Sequence, residues 1–423
     1  MVAPEPLNSA SVVRVKRAAT GGAVGRLDDG RVIFVRHALP GELVRVEVTE
    51  VSRSFARGDA VEVLEASPER VTAPCPYAKP RGCGGCDLQH ASDIAQLEWK
   101  ASIVAEHLRR IAKVERDVEV LGTGVAQGSR SRLRCAVTDQ GLLALHESRS
   151  HDLVALDACW IADARLQRAF ATQWSQAEEV ELRAIGDGDA FAVVRHETPA
   201  GISIDLRSLQ GASLDGRTRS EVSVAGHRFV VSPTAFWQSH RSAPSLLLET
   251  VIAFAGLESG DSVVDLFSGV GLFAVPLGAV VGPNGRVSAV ESSPSTAHNA
   301  RENARDAKNV TVREWSVTAR AVNDTVGSRD VVVLDPPRQG LSRGVAPALV
   351  RRAPRRLVYV SCDAATFARD LKVFLHGGYN LRDLRVFDLF PMTEHVELVA
   401  LLDIDPIRVE SDDEDAPPSP RGR

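Results

Sequence analysis

Cysteine, lysine and long apolar runs are all scarce in this sequence. Six cysteines in 423 residues are too few for a disulfide scaffold of this size. No stretch reads as a membrane span. The most apolar window, roughly Val263 to Val281, carries Asp265 and three glycines and reads as buried strand, loop and helix. The opening residues, Met-Val-Ala-Pro-Glu-Pro, show no basic start followed by an apolar run, so no secretory signal is expected and a cytoplasmic location is. The hydrophobic share of 44% and charged share of 25% exclude a wholly disordered or collagen-like chain. At ~150 residues per domain the length suggests about three domains. Nothing in the sequence speaks to oligomeric state.

Charge is unevenly spread. Of the net −5, the segment from Asp403 to the end carries −4, leaving −1 on residues 1–402. A near-neutral body neither demands nor excludes a nucleic acid, because a local basic groove suffices. Six lysines stand against 44 arginines. Arginine suits bidentate phosphate contacts, although genomic base composition produces the same bias.

The chain divides by composition. Residues 8–66 read as a small β-barrel, with valine-rich strands near Val12–Lys16, Arg31–Val35, Leu43–Val51 and Ala60–Glu65 separated by glycine turns. Exposed Arg26, Arg31, Arg36 and Arg57 would let such a barrel carry single-stranded RNA. A loop rich in proline and cysteine follows over 67–90. Ser92 then caps a helix running to about Lys113. Residues 117–235 alternate short β patterns with turns in no assignable topology. From Ser245 to about residue 404, helix and strand patterns alternate, which signals a doubly wound α/β domain. Residues 406–423, acidic and proline-rich, are expected to be disordered. The domains expected are therefore 1–70, 71–235 and 236–405, with a tail over 406–423.

Five constellations carry chemistry. In DLFSGVGLF (Asp265–Phe273) a strand ends, glycines turn the chain and a helix begins, which lets backbone approach a cofactor. Glu291, twenty-six residues after Asp265 at the end of the next strand, can accept hydrogen bonds from a ribose. The same pattern satisfies a loose dinucleotide fingerprint, so NAD also fits at this point. In VVVLDPPRQGL (Val331–Leu341) an apolar strand delivers Asp335 to the sheet edge, and Pro336-Pro337 fix an extended backbone. Methyltransferases that use S-adenosylmethionine commonly need this and dehydrogenases do not. Arg338 stands where enzymes methylating exocyclic amines usually place an aromatic, which argues against an amine target. In LVYVSCDAATFARDL, Cys362 lies between a strand and a helix start, where the helix dipole is expected to favour a nucleophilic thiolate. In MTEHVELVALL, Glu397 lies inside an apolar strand, where burial should raise its pKa and suit it to take a proton. Cys75, Cys83 and Cys86 lie within twelve residues. A fourth ligand, Cys159 or its competitor Cys135, would close either a zinc site or a four-iron cluster.

Taken together and in order, these motifs resemble the bacterial RNA 5-methyluridine methyltransferases, particularly the branch acting on 23S ribosomal RNA. The likeness runs from GGAVGRL near Gly21 to HVELVALL near Leu402. It implies an α/β plus β fold: an N-terminal OB-like TRAM barrel that binds RNA, with VRHALPGE (Val35–Glu42) as its signature, a central α+β domain bearing the cysteines, and a C-terminal Rossmann-like methyltransferase domain. It implies S-adenosylmethionine at Gln238 (in FWQSH), Phe267, Glu291 and Asp335. It implies a 4Fe-4S cluster, with zinc second, on Cys75, Cys83, Cys86 and Cys159. Cys362 falls on the nucleophile and Glu397 on the base. Because the family's tRNA enzymes typically lack both barrel and cluster, 23S ribosomal RNA is the expected partner and tRNA the alternative. Leu272, Trp315 and His240 depart from the family's usual residues at their positions. A catalytically silent RNA-binding assembly factor would need neither Cys362 nor Glu397, and a nitrogen methyltransferase would need no cysteine nucleophile.

Overall fold

The computed structural model describes residues 11–175, 177–188, 190–198, 201–209 and 219–404. The acidic segment 406–423 lies outside the described residues.

Six strands in the order Ser11–Arg14, Leu43–Val51, Phe55–Glu65, Val32–Arg36, Gly22–Arg26 and Arg17–Ala19 form the first sheet. Period-two alternation buries Val13, Ile33, Val35, Val44 and Val46 on one face. The sheet curls back on itself. Lys16 N–H donates to the Val24 carbonyl at 2.8 Å, and a Cβ on Gly25 would lie 2.3 Å from Val13 Cγ1, so this close approach requires glycine. Three of the four arginines expected to be exposed here are engaged by neighbouring groups. Arg36 is largely buried between Asp59 and Asp87, at 3.9 and 3.7 Å. Arg31 pairs with Asp29. Arg57 pairs with Glu50 at 2.7 Å and lies over the Phe55 ring. Arg26 is exposed. Asp29, Asp59, Asp87 and Glu50 thus face three of these arginines in the folded chain.

The region whose topology the sequence left open is an antiparallel sheet: Leu153–Ala155, Leu143–His146, Arg132–Val137, Glu179–Arg183, Phe191–Thr198 and Gly201–Ser208 in spatial order. A hairpin, Ser220–Val224 with His227–Val231, follows.

The third sheet runs in the order Val310–Glu314, Arg286–Glu291, Ser262–Leu266, Val331–Leu334, Arg356–Ser361, Glu397–Ile404, Tyr379–Asp388 and Val120–Gly122. Its first five strands are parallel, and Glu397–Ile404 runs antiparallel to its neighbours. Alternate residues feed opposite cores: Val264, Val332, Leu334 and Tyr359 one, Val263, Val331, Val333 and Val358 the other. That is why these strands read as unbroken apolar runs. The helices are α1 (Asp93–His107), α2 (Ala243–Ala255), α3 (Ala274–Val281), α4 (Pro294–Asn303), α5 (Ala319–Thr325), α6 (Val345–Arg352) and α7 (Ala364–His376). Ser92 caps α1 by accepting from Ala95 N–H, and the helical run ends at Lys113 in a left-handed conformation. Val120–Gly122, from the stretch read as central, joins the edge of this sheet. Among the described residues no helix is long and apolar enough to cross a membrane.

Candidate active site

All five parallel strands end on one edge, and the sequence motifs gather there. Beyond Leu266 the chain turns at Phe267, whose φ of +66° is left-handed, then at Gly269 (+55°) and Gly271 (+91°). Ser268 N–H donates to Val290 O at 3.0 Å, and Gly271 N–H to Ser268 O at 2.9 Å. A Cβ on Gly269 would meet nothing within 4 Å, so the turn faces an open cleft. One on Gly271 would lie 3.2 Å from Val275, because α3 follows closely.

Glu291 closes the adjacent strand and accepts from Gly269 N–H at 3.1 Å and Ser293 N–H at 2.7 Å. Asp265 is fully buried and neither carboxylate oxygen has a hydrogen-bond partner. Burial, then the Asp335 carboxylate, pushes its pKa well above the usual carboxylate range. Asp335 follows Leu334, donates its N–H to Leu266 O at 3.4 Å, and is pushed up by burial to about 7. The unpartnered, buried Asp265 carboxyl and Asp335 beside an open glycine turn suit a ligand that brings its own positive charge and hydroxyls.

Cys362 follows the strand Arg356–Ser361. The register Ser361↔Leu398 in the antiparallel neighbour sets it opposite Glu397. Glu397 is buried, and burial followed by the Asp335 charge raises it well above the usual range, as its apolar strand led one to expect. The Cys362 thiol departs from expectation. Asp363 caps α7 by accepting from Thr366 N–H at 2.7 Å, yet burial and then the Glu397 charge push the thiol up to about 12. The pull of a helix start is local. Here it is outweighed by desolvation and nearby carboxylates.

Arg338 was read from sequence only as a sign of what the substrate is not. In the structure it is the cation facing both groups. Its charge opposes the upward shift of Cys362 and of Glu397. Side chains of α7 hold its loop. Thr366 Oγ1 donates to Arg338 O at 3.1 Å, and Arg369 Nη2 to Gln339 O at 3.0 Å and Leu341 O at 3.2 Å. Asp370 accepts from Leu341 N–H and from Tyr359 Oη–H, both at 2.8 Å. The available signal was the spacing of Thr366, Arg369 and Asp370 on one helix face.

Gln238 is buried between the hairpin and α2, and its carbonyl accepts from Ser131 Oγ at 3.3 Å. Its neighbour Trp237 shares an apolar cluster with Val270 and Leu272 of the glycine turn. Leu272 is thus a core residue. Trp315 donates its N–H to Glu291 O at 2.8 Å. His240 is buried and accepts from Ser242 N–H through Nδ1 at 3.2 Å.

The cysteine segment folds against the central sheet. Cys75 N–H donates to Gln89 Oε1, Gly84 N–H to His146 O, and Cys159 N–H to Gln167 Oε1. Cys75 and Cys159 line one cavity of about 650 Å³. Burial, with neighbouring thiols, pushes Cys86 up to about 12 and Cys159 to about 11. Among the described residues no three His, Cys, Asp or Glu side chains gather into a group that could hold a metal. The geometry therefore does not support the expected 4Fe-4S or zinc set on Cys75, Cys83, Cys86 and Cys159.

Comparison with known proteins agrees with this architecture. Residues 13–61 match the TRAM domain, and residues 217–404 match the family described as tRNA (Uracil-5-)-methyltransferase. An uncharacterized RNA methyltransferase of Streptomyces avermitilis is 36% identical over 92% of this chain and 97% of its own. Another from Streptomyces coelicolor is 36% identical over 92% of each. Among solved structures, the Pyrococcus abyssi tRNA (uracil-54, C5)-methyltransferase in complex with S-adenosyl-L-homocysteine covers 92% of this chain and 99% of its own, at TM-score 0.68 and 24% identity.

Proposed function

The chain belongs to the RNA (uracil-5-)-methyltransferases that carry a TRAM domain, and from that premise we propose that Cys362 and Glu397 convert a uridine to 5-methyluridine through a covalent adduct at carbon 6. The observation that carries the reading is the pairing of the thiol and carboxyl on the ends of adjacent strands, with Arg338 facing both.

Bound S-adenosylmethionine supplies an electrophilic methyl group on a positively charged sulfur. Gln238, Phe267, Glu291 and Asp335 would hold it, Glu291 through the ribose and the acid-rich edge through its charge. Carbon 5 of uracil is too weak a nucleophile alone. Cys362, its thiol proton released to water, bonds through sulfur to carbon 6; the electron pair of the 5,6 double bond moves toward carbon 5, which takes the methyl group as the pair of the broken methyl–sulfur bond stays on the departing neutral thioether. Glu397 removes the carbon 5 proton, the double bond re-forms, and the sulfur leaves. Burial raises both Cys362 and Glu397, with the Glu397 charge adding to the rise at Cys362 and the Asp335 charge to that at Glu397. A positive charge placed among Asp265, Asp335 and Glu397 favours the ionised form of both, which ties nucleophile activation to donor binding. The uridine must leave its stack to reach this edge.

Cys362→Ala is expected to abolish methyl transfer, and Glu397→Gln to hold the covalent RNA adduct, seen as a denaturation-resistant band. Methylation by purified Cys362→Ala protein would refute the mechanism. The proposed target is 23S ribosomal RNA. The second reading is tRNA, supported by the likeness in fold, across 92% of this chain, to a tRNA (uracil-54, C5)-methyltransferase. Mapping 5-methyluridine in both RNAs from cells lacking the protein decides between them. The family resemblance implies a 4Fe-4S set on Cys75, Cys83, Cys86 and Cys159, which the geometry does not support. Iron and acid-labile sulfide assays on anaerobically purified protein test it, and active iron-free protein would retire it.

A further inference from the structure

Glu397 opens its strand directly after the loop 389–396, and the pair Phe387↔Glu397 is the last before the hairpin opens. A loop of this kind would ordinarily be free to sway. Here it is tied from outside along its length. Lys100, fully buried in α1, is ion-paired with Asp388 and donates to Phe390 O at 2.9 Å. One turn earlier on the same helix face is Gln96, also buried. Its Oε1 accepts from Met392 N–H at 2.9 Å, and its Nε2 lies 3.4 Å from Met392 Sδ and 3.0 Å from Ala91 O. From the cysteine segment, Asp87 and Leu88 N–H both donate to Met392 O, at 2.8 and 2.9 Å. From the barrel, Gly21 N–H donates to Glu394 Oε2 at 2.6 Å.

Three parts of the chain, each distant in sequence, thus converge on the residues just before the proton acceptor. Met392 is held at φ +67°, a left-handed state that a methionine keeps only when its surroundings over-determine it. Helix α1 also bridges two cores. Trp99 and Ile103 pack with the barrel, and Val104 with the methyltransferase core. Packing alone does not need a buried glutamine and a buried lysine four residues apart on this helix, both reaching into one loop.

We propose that Gln96, with Lys100 and the Asp87–Leu88 backbone, positions Glu397, so that the barrel-linked helix and the cysteine segment set the proton-abstraction step. The proposal rests on Glu397 being the base. It makes these positioning residues rather than catalytic ones.

The test uses full-length enzyme and an in vitro transcript of the RNA that the wild-type protein methylates. Gln96→Leu is expected to lower kcat roughly 10- to 100-fold, the scale of a 1 Å misplacement, with KM within about threefold of wild type. It should accumulate the same denaturation-resistant adduct as Glu397→Gln, because proton removal is what slows. A merely structural role predicts weaker RNA binding or less folded protein with no adduct. If Gln96→Leu fails to fold, Glu394→Leu against Glu394→Gln takes its place. Glutamine keeps an acceptor for Gly21 N–H and should behave as wild type, whereas leucine should accumulate adduct. An adduct in Glu397→Gln but in none of the anchoring variants overturns the proposal alone. No adduct in Glu397→Gln overturns the reading of Glu397 and the proposal with it.

Discussion

The Cys362 thiol, pushed up to about 12, makes a quantitative prediction about its reactivity. At pH 8 such a thiol is ionised about one part in 10⁴, against about one in four for an ordinary cysteine near 8.5. The deficit is roughly 2,500-fold. The more basic thiolate is intrinsically more nucleophilic, and a sensitivity of ~0.4–0.5 per pKa unit returns about 25- to 55-fold. Alkylation of Cys362 by iodoacetamide in the ligand-free protein should therefore run roughly 50- to 100-fold slower than at the same residue in urea-unfolded protein. Peptide mass spectrometry after timed quenching measures both. Burial alone also slows a reagent, so the pH profile is the sharper readout. The native rate should still climb tenfold per pH unit through pH 10, where the unfolded residue levels off above about 9. Glu397→Gln removes the largest nearby charge opposing the thiolate and should speed the reaction, and Arg338→Met should slow it. A native profile that levels off near 9, or a Glu397→Gln rate equal to wild type, refutes the electrostatic account.

Gly269→Ala carries backbone strain at φ +55° but its Cβ meets open space, so it should cost about 1 kcal/mol of stability and weaken S-adenosylmethionine binding in calorimetry by filling the cleft. Gly271→Ala meets Val275 at φ +91° and should lose about 1–3 kcal/mol of stability in urea unfolding. Asp370→Ala leaves Leu341 N–H and Tyr359 Oη–H without their acceptor and should cost about 2–4 kcal/mol by the same measure, with kcat falling as the Arg338 loop loosens. Burial would raise Glu181, but the hydrogen bond and charge of Arg132 and the charge of Arg183 hold it at about 2 against an ordinary 4.5. Its contribution, about 2–3 kcal/mol, is complete above pH ~4.5 and lost as pH falls toward 2. Glu181→Gln should flatten that limb of the acid-unfolding curve.

Motifs confined to one strand end were legible because their signal is local. The glycine turn, Asp335 after its valine run, and Cys362 between strand and helix could each be placed from a dozen residues. The raised Glu397 was legible too, since apolar neighbours in a strand foretell burial. What escaped depends on residues far apart in sequence. The thiol shift comes from burial first, then from Glu397 and Asp335 across strand ends. The role of Arg338 depends on anchors from α7, some thirty residues on. The strand Val120–Gly122 is too short to show a period. The barrel arginines looked free because Asp59, Asp87 and Glu50 reach them only in the folded sheet.

A sulfur kept protonated between turnovers has a consequence outside the reaction itself. Peroxide and soft electrophiles consume thiolates, not thiols. Between encounters with its RNA substrate the enzyme is idle. A Cys362 sulfur held mainly as thiol is expected to oxidise more slowly through those intervals.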